Sequence, residues 1–331
     1  MKKTPTPLTA LFLLFPILLF SQSTWYQIMP IASVAPTFYG MVAEGDGYVV
    51  FSDRNIVQTD RFGTNTGRVT LTTTTPFTTD VIKRYDQTTG DPYFIMARRG
   101  ITPQTQYLLT EHRPGTGFVN TLTITDTLGS LSGLRPTMLE QPDGSIIVVG
   151  KQFYRKVTYD PATGFTELWV RPFNITATSV LQHNNTIIAC DANGLVVALD
   201  EDGSTLWTQN HGINLRSIAA APGGFIGCGQ LAGNQAVVIR MDENGAEIWR
   251  EETSDQDYYD VVSTSDGNFA TTGWSASGNI VLAHLGSDGA VLWQKPFGTG
   301  TGLHLLQDAD GGYVLMARAT NPNSIHMIKT D

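Results

Sequence analysis

An all-β fold, a seven-bladed β-propeller of four-stranded antiparallel blades, is predicted by three features of this 331-residue chain. The first is a marker: a tight turn, then an apolar strand ending in a small residue. It occurs as GDGYVVFS, DPYFIMA, PDGSIIVVG, HNNTIIAC, PGGFIGCG, SDGNFATTG and DGGYVLMA, ending at Ser52, Ala97, Gly150, Cys190, Gly229, Gly273 and Ala317. Successive ends lie 45, 53, 40, 39, 44 and 44 positions apart, the signature of a repeat array. The second is a strand–turn–strand unit carrying tryptophan, LVVALDEDGSTLW (Leu195–Trp207). It recurs at Val237–Trp249 and Val281–Trp293 and, more loosely, at Arg155–Trp169. The third is composition: 33 glycines, 41% hydrophobic and only 15% charged residues suit many short strands joined by turns. A solenoid of four-stranded units is the competing architecture.

The chain opens with Lys2 and Lys3, an apolar run from Leu8 to Phe20 interrupted by Pro16, and a small polar exit at Ser21, Gln22 and Ser23. Residues 1–22 read as a secretory signal peptide, the apolar run being short for a membrane span. The protein is therefore expected to be secreted or periplasmic, with no membrane span after signal removal and residues 23–331 as a single propeller domain.

Within each copy a weakly apolar first strand, such as SVLQ, SIAA, DVVST or HLLQ, precedes the marker, which is the second strand. A loop leads to a third strand with period-two alternation: NIVQT, QYLLTE, RKVTY, GLVVAL, AVVIRM, IVLAHL or IHMIKT. The fourth strand carries the tryptophan, and each tryptophan is expected to pack between blades. Early copies lack one, and Leu122 or Ile124 is expected to serve there. Four strands in some 40–50 residues is the size of a propeller blade. The last copy shows only three strands, while STWYQIMPIA near the N-terminus is an orphan fourth strand with its own Trp25. Ser23–Ile31 is therefore expected beside Ser324–Asp331, completing a seventh blade and covering edges that would otherwise template aggregation.

Asp200–Trp207 and Asp242–Trp249 share the form D-x-x-G-x-x-x-W, and YDPATGFTELW has it with one extra residue. With DGGYVLMA and SIHMIKTD, these segments resemble the repeats of secreted bacterial propellers. They are also similar to the tryptophan-docking motif of the pyrroloquinoline-quinone-like propeller superfamily. The resemblance covers nearly all of the chain after residue 22 and implies a propeller with docked tryptophans. It leaves function open, because propellers host enzymes, binding modules and scaffolds alike. The family's quinone-dependent dehydrogenases have eight blades, a calcium site and often a vicinal cysteine pair. Here there are seven copies and no such pair, and no cofactor is expected.

A net charge of −9 without a long Lys/Arg run excludes a nucleic-acid partner. Cys190 and Cys228 fall on marker strands of adjacent copies. Their one-residue offset against the small position predicts opposite faces and two buried free thiols rather than a disulfide. The acidic turns Asp200/Asp202, Asp242, Asp288 and Asp308/Asp310 lack calcium-loop spacing and read as hairpin turns. Six scattered histidines show no metal spacing. Asp255, Asp257 and Asp260, with Tyr258 and Tyr259, read as a solvated blade-to-blade connection, a weak cation or sugar site being the alternative.

Loops after the marker strands and blade-to-blade connections gather on one propeller face. The ligand-binding candidates there are Arg54, Arg98, Arg99, Lys151, His211, Gln230, Tyr258, Tyr259, Trp274 and Arg318. Aromatic and basic side chains together suit a sugar or an anionic peptide. The expectation is a non-catalytic propeller that binds a protein or glycan through this face, with no catalytic and no metal-binding residue. A polysaccharide lyase or glycosidase, which needs convergent carboxylates, and an envelope assembly scaffold are the alternatives.

Overall fold

The computed structural model describes residues 25–29, 38–52, 55–70, 77–99, 106–125, 137–233, 235–254, 256–320 and 323–330. The signal-peptide span, residues 1–22, lies outside the described residues. Strand β1 (Trp25–Met29) stands alone in sequence. The first blade is β2 (Phe38–Glu44), β3 (Gly47–Ser52), β4 (Asn55–Thr59) and β5 (Asn65–Thr70). The second is β6 (Phe77–Tyr85), β7 (Pro92–Arg99), β8 (Gln106–Arg113) and β9 (Gly117–Thr125). The third is β10 (Thr137–Glu140), β11 (Ile146–Val149), β12 (Lys151–Asp160) and the first part of β13 (Gly164–His183). The fourth takes the rest of β13 with β14 (Thr186–Asp191), β15 (Leu195–Leu199) and β16 (Thr205–Asn210). The fifth is β17 (Asn214–Ala221), β18 (Gly224–Leu231), β19 (Gln235–Asp242) and β20 (Glu247–Thr253). The sixth is β21 (Gln256–Ser263), β22 (Phe269–Ser275), β23 (Asn279–Leu285) and the start of β24 (Val291–Gln307). The end of β24, β25 (Tyr313–Thr320) and β26 (Asn323–Thr330) follow.

The protein is thus an all-β propeller of four-stranded antiparallel blades. Six blades are built from four consecutive strands each, not the seven that the marker count predicts. The reason is that a marker identifies a second strand, not a complete blade. After the seventh marker, in β25, only β26 follows among the described strands. β1 pairs antiparallel with the free edge of β26, Trp25 opposite Lys329 and Met29 opposite Ile325. Two blade boundaries are also invisible as breaks. β13 and β24, 20 and 17 residues long, each run from the outer edge of one blade to the inner edge of the next.

Alternate side chains of a strand point to opposite sheet faces, so each blade offers apolar surface to both neighbours, and the core lies between blades. Cys190 and Val196 of the fourth blade meet Leu215, Phe225 and Val237 of the fifth. Ile226, Cys228 and Val238 of the fifth meet Tyr258, Val261 and Phe269 of the sixth. Met41, Tyr48 and Val50 of the first blade meet Val314, Met316, Ile325 and Met327 of β25 and β26. A polar contact reinforces this last junction. Lys329 Nζ pairs with Asp308 and with Asp310 at 2.7 Å, and Tyr48 Oη donates to Asp308 Oδ2 at 2.7 Å. In the second blade, Leu122 and Ile124 pack into the cluster shared with the third.

Trp207 and Trp249 dock as their turns require. Asp242 Oδ1 accepts the backbone N–H groups of Asn244 and Ala246 at 2.8 and 2.9 Å, which closes the turn. Gly245, at φ 75°, lets the Trp207 ring of the preceding blade lie directly on that turn. Gly289, at φ 90°, does the same for Trp249, whose Nε1 donates to the Ser287 carbonyl at 3.0 Å. One blade earlier, Tyr154 occupies the equivalent place against Gly203.

Both cysteines are buried and free. The geometric reason differs from the one the sequence offers. Cys190 pairs with Ser179 and Cys228 with Ser217, equivalent register positions in consecutive blades. Their side chains therefore face the same way, one blade apart, rather than to opposite sheet faces.

Candidate functional site

The inner strands surround a central cavity of about 700 Å³. Its wall is shaped by a recurring irregularity. Six first strands carry a register shift, between Phe38/Gly40, Thr78/Asp80, Ala177/Ser179, Leu215/Ser217, Tyr258/Asp260 and Gly302/His304. A bulge adds a residue to one strand, increases twist and re-aims the extra side chain. Here the extra residues include Thr79, Thr178, Arg216, Tyr259 and Leu303, all on the cavity wall.

In four of the six, the residue after the bulge ties one inner strand to the next. Asp80 accepts Val81 N–H at 2.8 Å and, from the following blade, Met138 N–H at 2.6 Å. Ser179 Oγ accepts Ile218 N–H at 3.3 Å, and Ser217 Oγ donates to Asp260 Oδ1 at 2.6 Å. Asp260 also accepts Val261 N–H at 3.0 Å and, from β24, Leu305 N–H at 3.0 Å. His304 Nδ1 lies 3.3 Å from Asp260 Oδ2. Burial pushes the Asp80 carboxyl up to about 6, against the pull of its two backbone donors and of His304. Asp80 and Asp260 are thus structural acceptors between blades. Both also line the central cavity.

A second group forms on the cavity wall around Arg216, Tyr259 and Arg318. Arg216 Nη2 donates to Asp257 Oδ2 at 2.7 Å, and its guanidinium carbon lies 4.1 Å from the centre of the Tyr259 ring. The same nitrogen reaches Gln230 Oε1 at 3.4 Å. Trp274 lies opposite Asp257 in the strand pair, and burial pushes the Asp257 carboxyl above its usual range against the pull of Arg216, Trp274 and Tyr259. Arg318, exposed on the cavity wall, acts electrostatically on Tyr259. Asp257, Tyr258, Tyr259 and Asp260 therefore belong to an inner strand and not to a solvated connection, while Asp255 lies outside the described residues.

Of the sequence candidates, the structure brings Gln230, Tyr259, Trp274 and Arg318 together. Tyr258 is fully buried between the fifth and sixth blades, because it points away from the channel on the bulged strand. Arg98 is also buried, its guanidinium 4.3 Å from the centre of the Phe118 ring, and desolvation pushes it down to about 10. His211 sits half-buried in its connection, off the cavity wall, with Nδ1 3.9 Å from Glu247 Oε2. Arg54 lies outside the described residues, as do the side chains of Arg99 and Lys151. Sequence reasoning missed Arg216, Asp80 and His304, and it named Asp260 only as part of a connection. A signal for Asp80, Asp260 and His304 was present in the first strands DVIK, DVVST and HLLQ, where, as in SVLQ and SIAA, a polar residue precedes an apolar one at the same place. Among the described residues, no group of three or more His, Cys, Asp or Glu side chains could hold a metal ion.

Comparison with known proteins agrees with this geometry. A structure of BamB from Moraxella catarrhalis is similar at 12% identity and a TM-score of 0.55, covering 88% of this chain and 96% of that one. The WD40 β-propeller domain of Doa1 is similar at 13% identity and a TM-score of 0.64, covering 93% and 98%. At such identities these likenesses concern the fold. No curated protein matches by sequence. The family model described as outer membrane protein assembly factor BamB matches residues 79–260, more than half of the chain. The chain therefore belongs to that family of pyrroloquinoline-quinone-like β-propellers.

Proposed function

We propose that this chain is an extracytoplasmic, non-catalytic propeller that binds a protein partner through the face where its channel opens. The observation that carries the reading is the mouth itself, where Arg216, Tyr259, Trp274 and Arg318 converge beside a buried Asp257. Aromatic and arginine side chains are the groups over-represented where proteins anchor one another. The channel carboxylates are already occupied by backbone donors, which weighs against the lyase or glycosidase alternative. The family is that of an outer membrane protein assembly factor, which favours an envelope assembly scaffold as the specific form of protein binding. No helix among the described residues is long and apolar enough to cross a membrane.

The same reading includes a closed ring. In it, residues 1–22 are a signal peptide, residues 23–331 form one domain, and β1 with the end of β24, β25 and β26 acts as a seventh blade. The β1–β26 pairing and the apolar cluster between the first blade and β25–β26 support closure.

Photo-crosslinking tests the choice of face. A crosslinking amino acid at Arg318 or Tyr259 is expected to give discrete protein adducts in the native envelope, whereas one at Leu206, on an outer strand, gives none. Adducts from Leu206 alone would reject the face. Turnover of a polysaccharide by the purified protein would replace binding with the enzymatic alternative.

A further inference from the structure

We infer that the central cavity is itself a binding site, for a short uncharged saccharide. It is a second site, independent of the protein partner proposed above.

The charged groups on the cavity wall are engaged within the protein. Asp80 accepts two backbone N–H groups, and Asp260 accepts two more and the Ser217 hydroxyl. Arg216 is held by Asp257 and Gln230 and lies against the Tyr259 ring. In number, the wall carboxylates of Asp80 and Asp260 balance the wall guanidiniums of Arg216 and Arg318. The cavity therefore holds no surplus of either sign to draw in an ion, and a charged ligand would lose its hydration without a partner.

The groups left for a ligand are chiefly neutral. The Asn214 amide and the hydroxyls of Thr137, Thr176 and Thr301 belong to the same wall and make no hydrogen bond among the described residues. An amide sets a donor beside an acceptor, and a hydroxyl combines both in one atom. Adjacent hydroxyls on a sugar ring carry the same combination, so each donates to one wall group and accepts from another. A carboxylate has no proton to give and an ammonium has no lone pair to accept with, so neither matches this set. Arg318, exposed on the wall, supplies a further donor to a sugar oxygen. The wall is apolar at the partly buried Val42 and Leu303, where the C–H face of a ring packs. At about 700 Å³ the cavity falls in the range of small-molecule sites, and a mostly pre-formed wall with a few placed polar groups is their usual construction.

Isothermal titration calorimetry on the whole chain after signal removal tests the site. The neutral probes are maltotriose, cellotriose and N-acetylchitotriose; trigalacturonate and triglucosamine are the acidic and basic counterparts. At least one neutral trisaccharide is expected to bind, about tenfold or more tightly than either charged one. Asn214→Asp keeps the side-chain shape but removes the donor and adds a charge, and is expected to weaken that trisaccharide about tenfold. Thr176→Val removes one hydroxyl and is expected to weaken it about threefold. Thr208→Ala, exposed on the outer strand β16, is expected to leave binding unchanged. Absence of binding by every neutral trisaccharide, tighter binding of trigalacturonate or triglucosamine, or equal effects of the two wall variants and Thr208→Ala would each overturn the assignment. Protein adducts from Arg318 and Tyr259 are a separate readout, so the protein-binding reading survives any of these results.

Discussion

Asp80 shows how a residue can serve the architecture at a thermodynamic cost. Its carboxylate ties the second blade to the third, yet burial raises its pKa from 3.8 to about 6. The folded state therefore holds this proton more tightly than the unfolded chain does. The associated stability is fully present below the unfolded pKa and is lost as pH rises through about 6. Comparing urea melts of the wild type with Asp80→Asn should show the wild type gaining about 1 kcal/mol, relative to the variant, between about pH 7 and about pH 5. His304 faces the same carboxyl, so the comparison is repeated with His304→Gln in both proteins. A pH-independent difference in both backgrounds would show that Asp80 is ionised as readily in the fold as in the free chain.

At the scale of the element, the turn–tryptophan dock is the unit most open to perturbation. Gly245 combines a positive φ with contact against the Trp207 ring, whereas Gly233, also at positive φ (85°), has nothing within 4 Å of the position its Cβ would take. Gly233→Ala should cost about 1 kcal/mol from backbone strain alone. Gly245→Ala should cost about 2 kcal/mol or more, because the added methyl also displaces the indole. Denaturant midpoints measure both, and equal losses would show that the docked ring yields freely.

The same units decide what could be read from the sequence. Marker strands and D-x-x-G-x-x-x-W turns were legible because the turn geometry calls for aspartate and glycine at fixed places. The bulges in the inner strands were not, since a bulge inserts one residue without a fixed residue type. That gap hid Arg216 and placed Asp257 and Tyr259 in a loop instead of a strand. It also upset the alignment of Cys228 with Cys190. The long strands β13 and β24 were read as separate elements because Pro172 and Asn174 in one, and Pro296, Gly298, Gly300 and Gly302 in the other, read as breaks although the backbone stays extended through them.

Across the whole molecule, the junction between the chain's early and late strands matters most. Deleting Trp25–Met29 should leave the β26 edge open, lower the thermal midpoint and raise light scattering on concentration, as unpaired edges recruit other chains. Unchanged melting and scattering would mean that β1 adds little to the array. The fold class was legible from repeat spacing alone, whereas the number of complete blades was not. A repeat count cannot tell a blade of four consecutive strands from one that needs a strand from elsewhere in the chain.

That pairing has a consequence for biogenesis. β1 is the first described strand to leave the ribosome, and its hydrogen-bonding partner is the last. It has no mate until every intervening sheet has been delivered, so the sheet that joins the two stays incomplete while the chain is in transit. The contact between the first and last described strands is thereby the one that must wait for all the others.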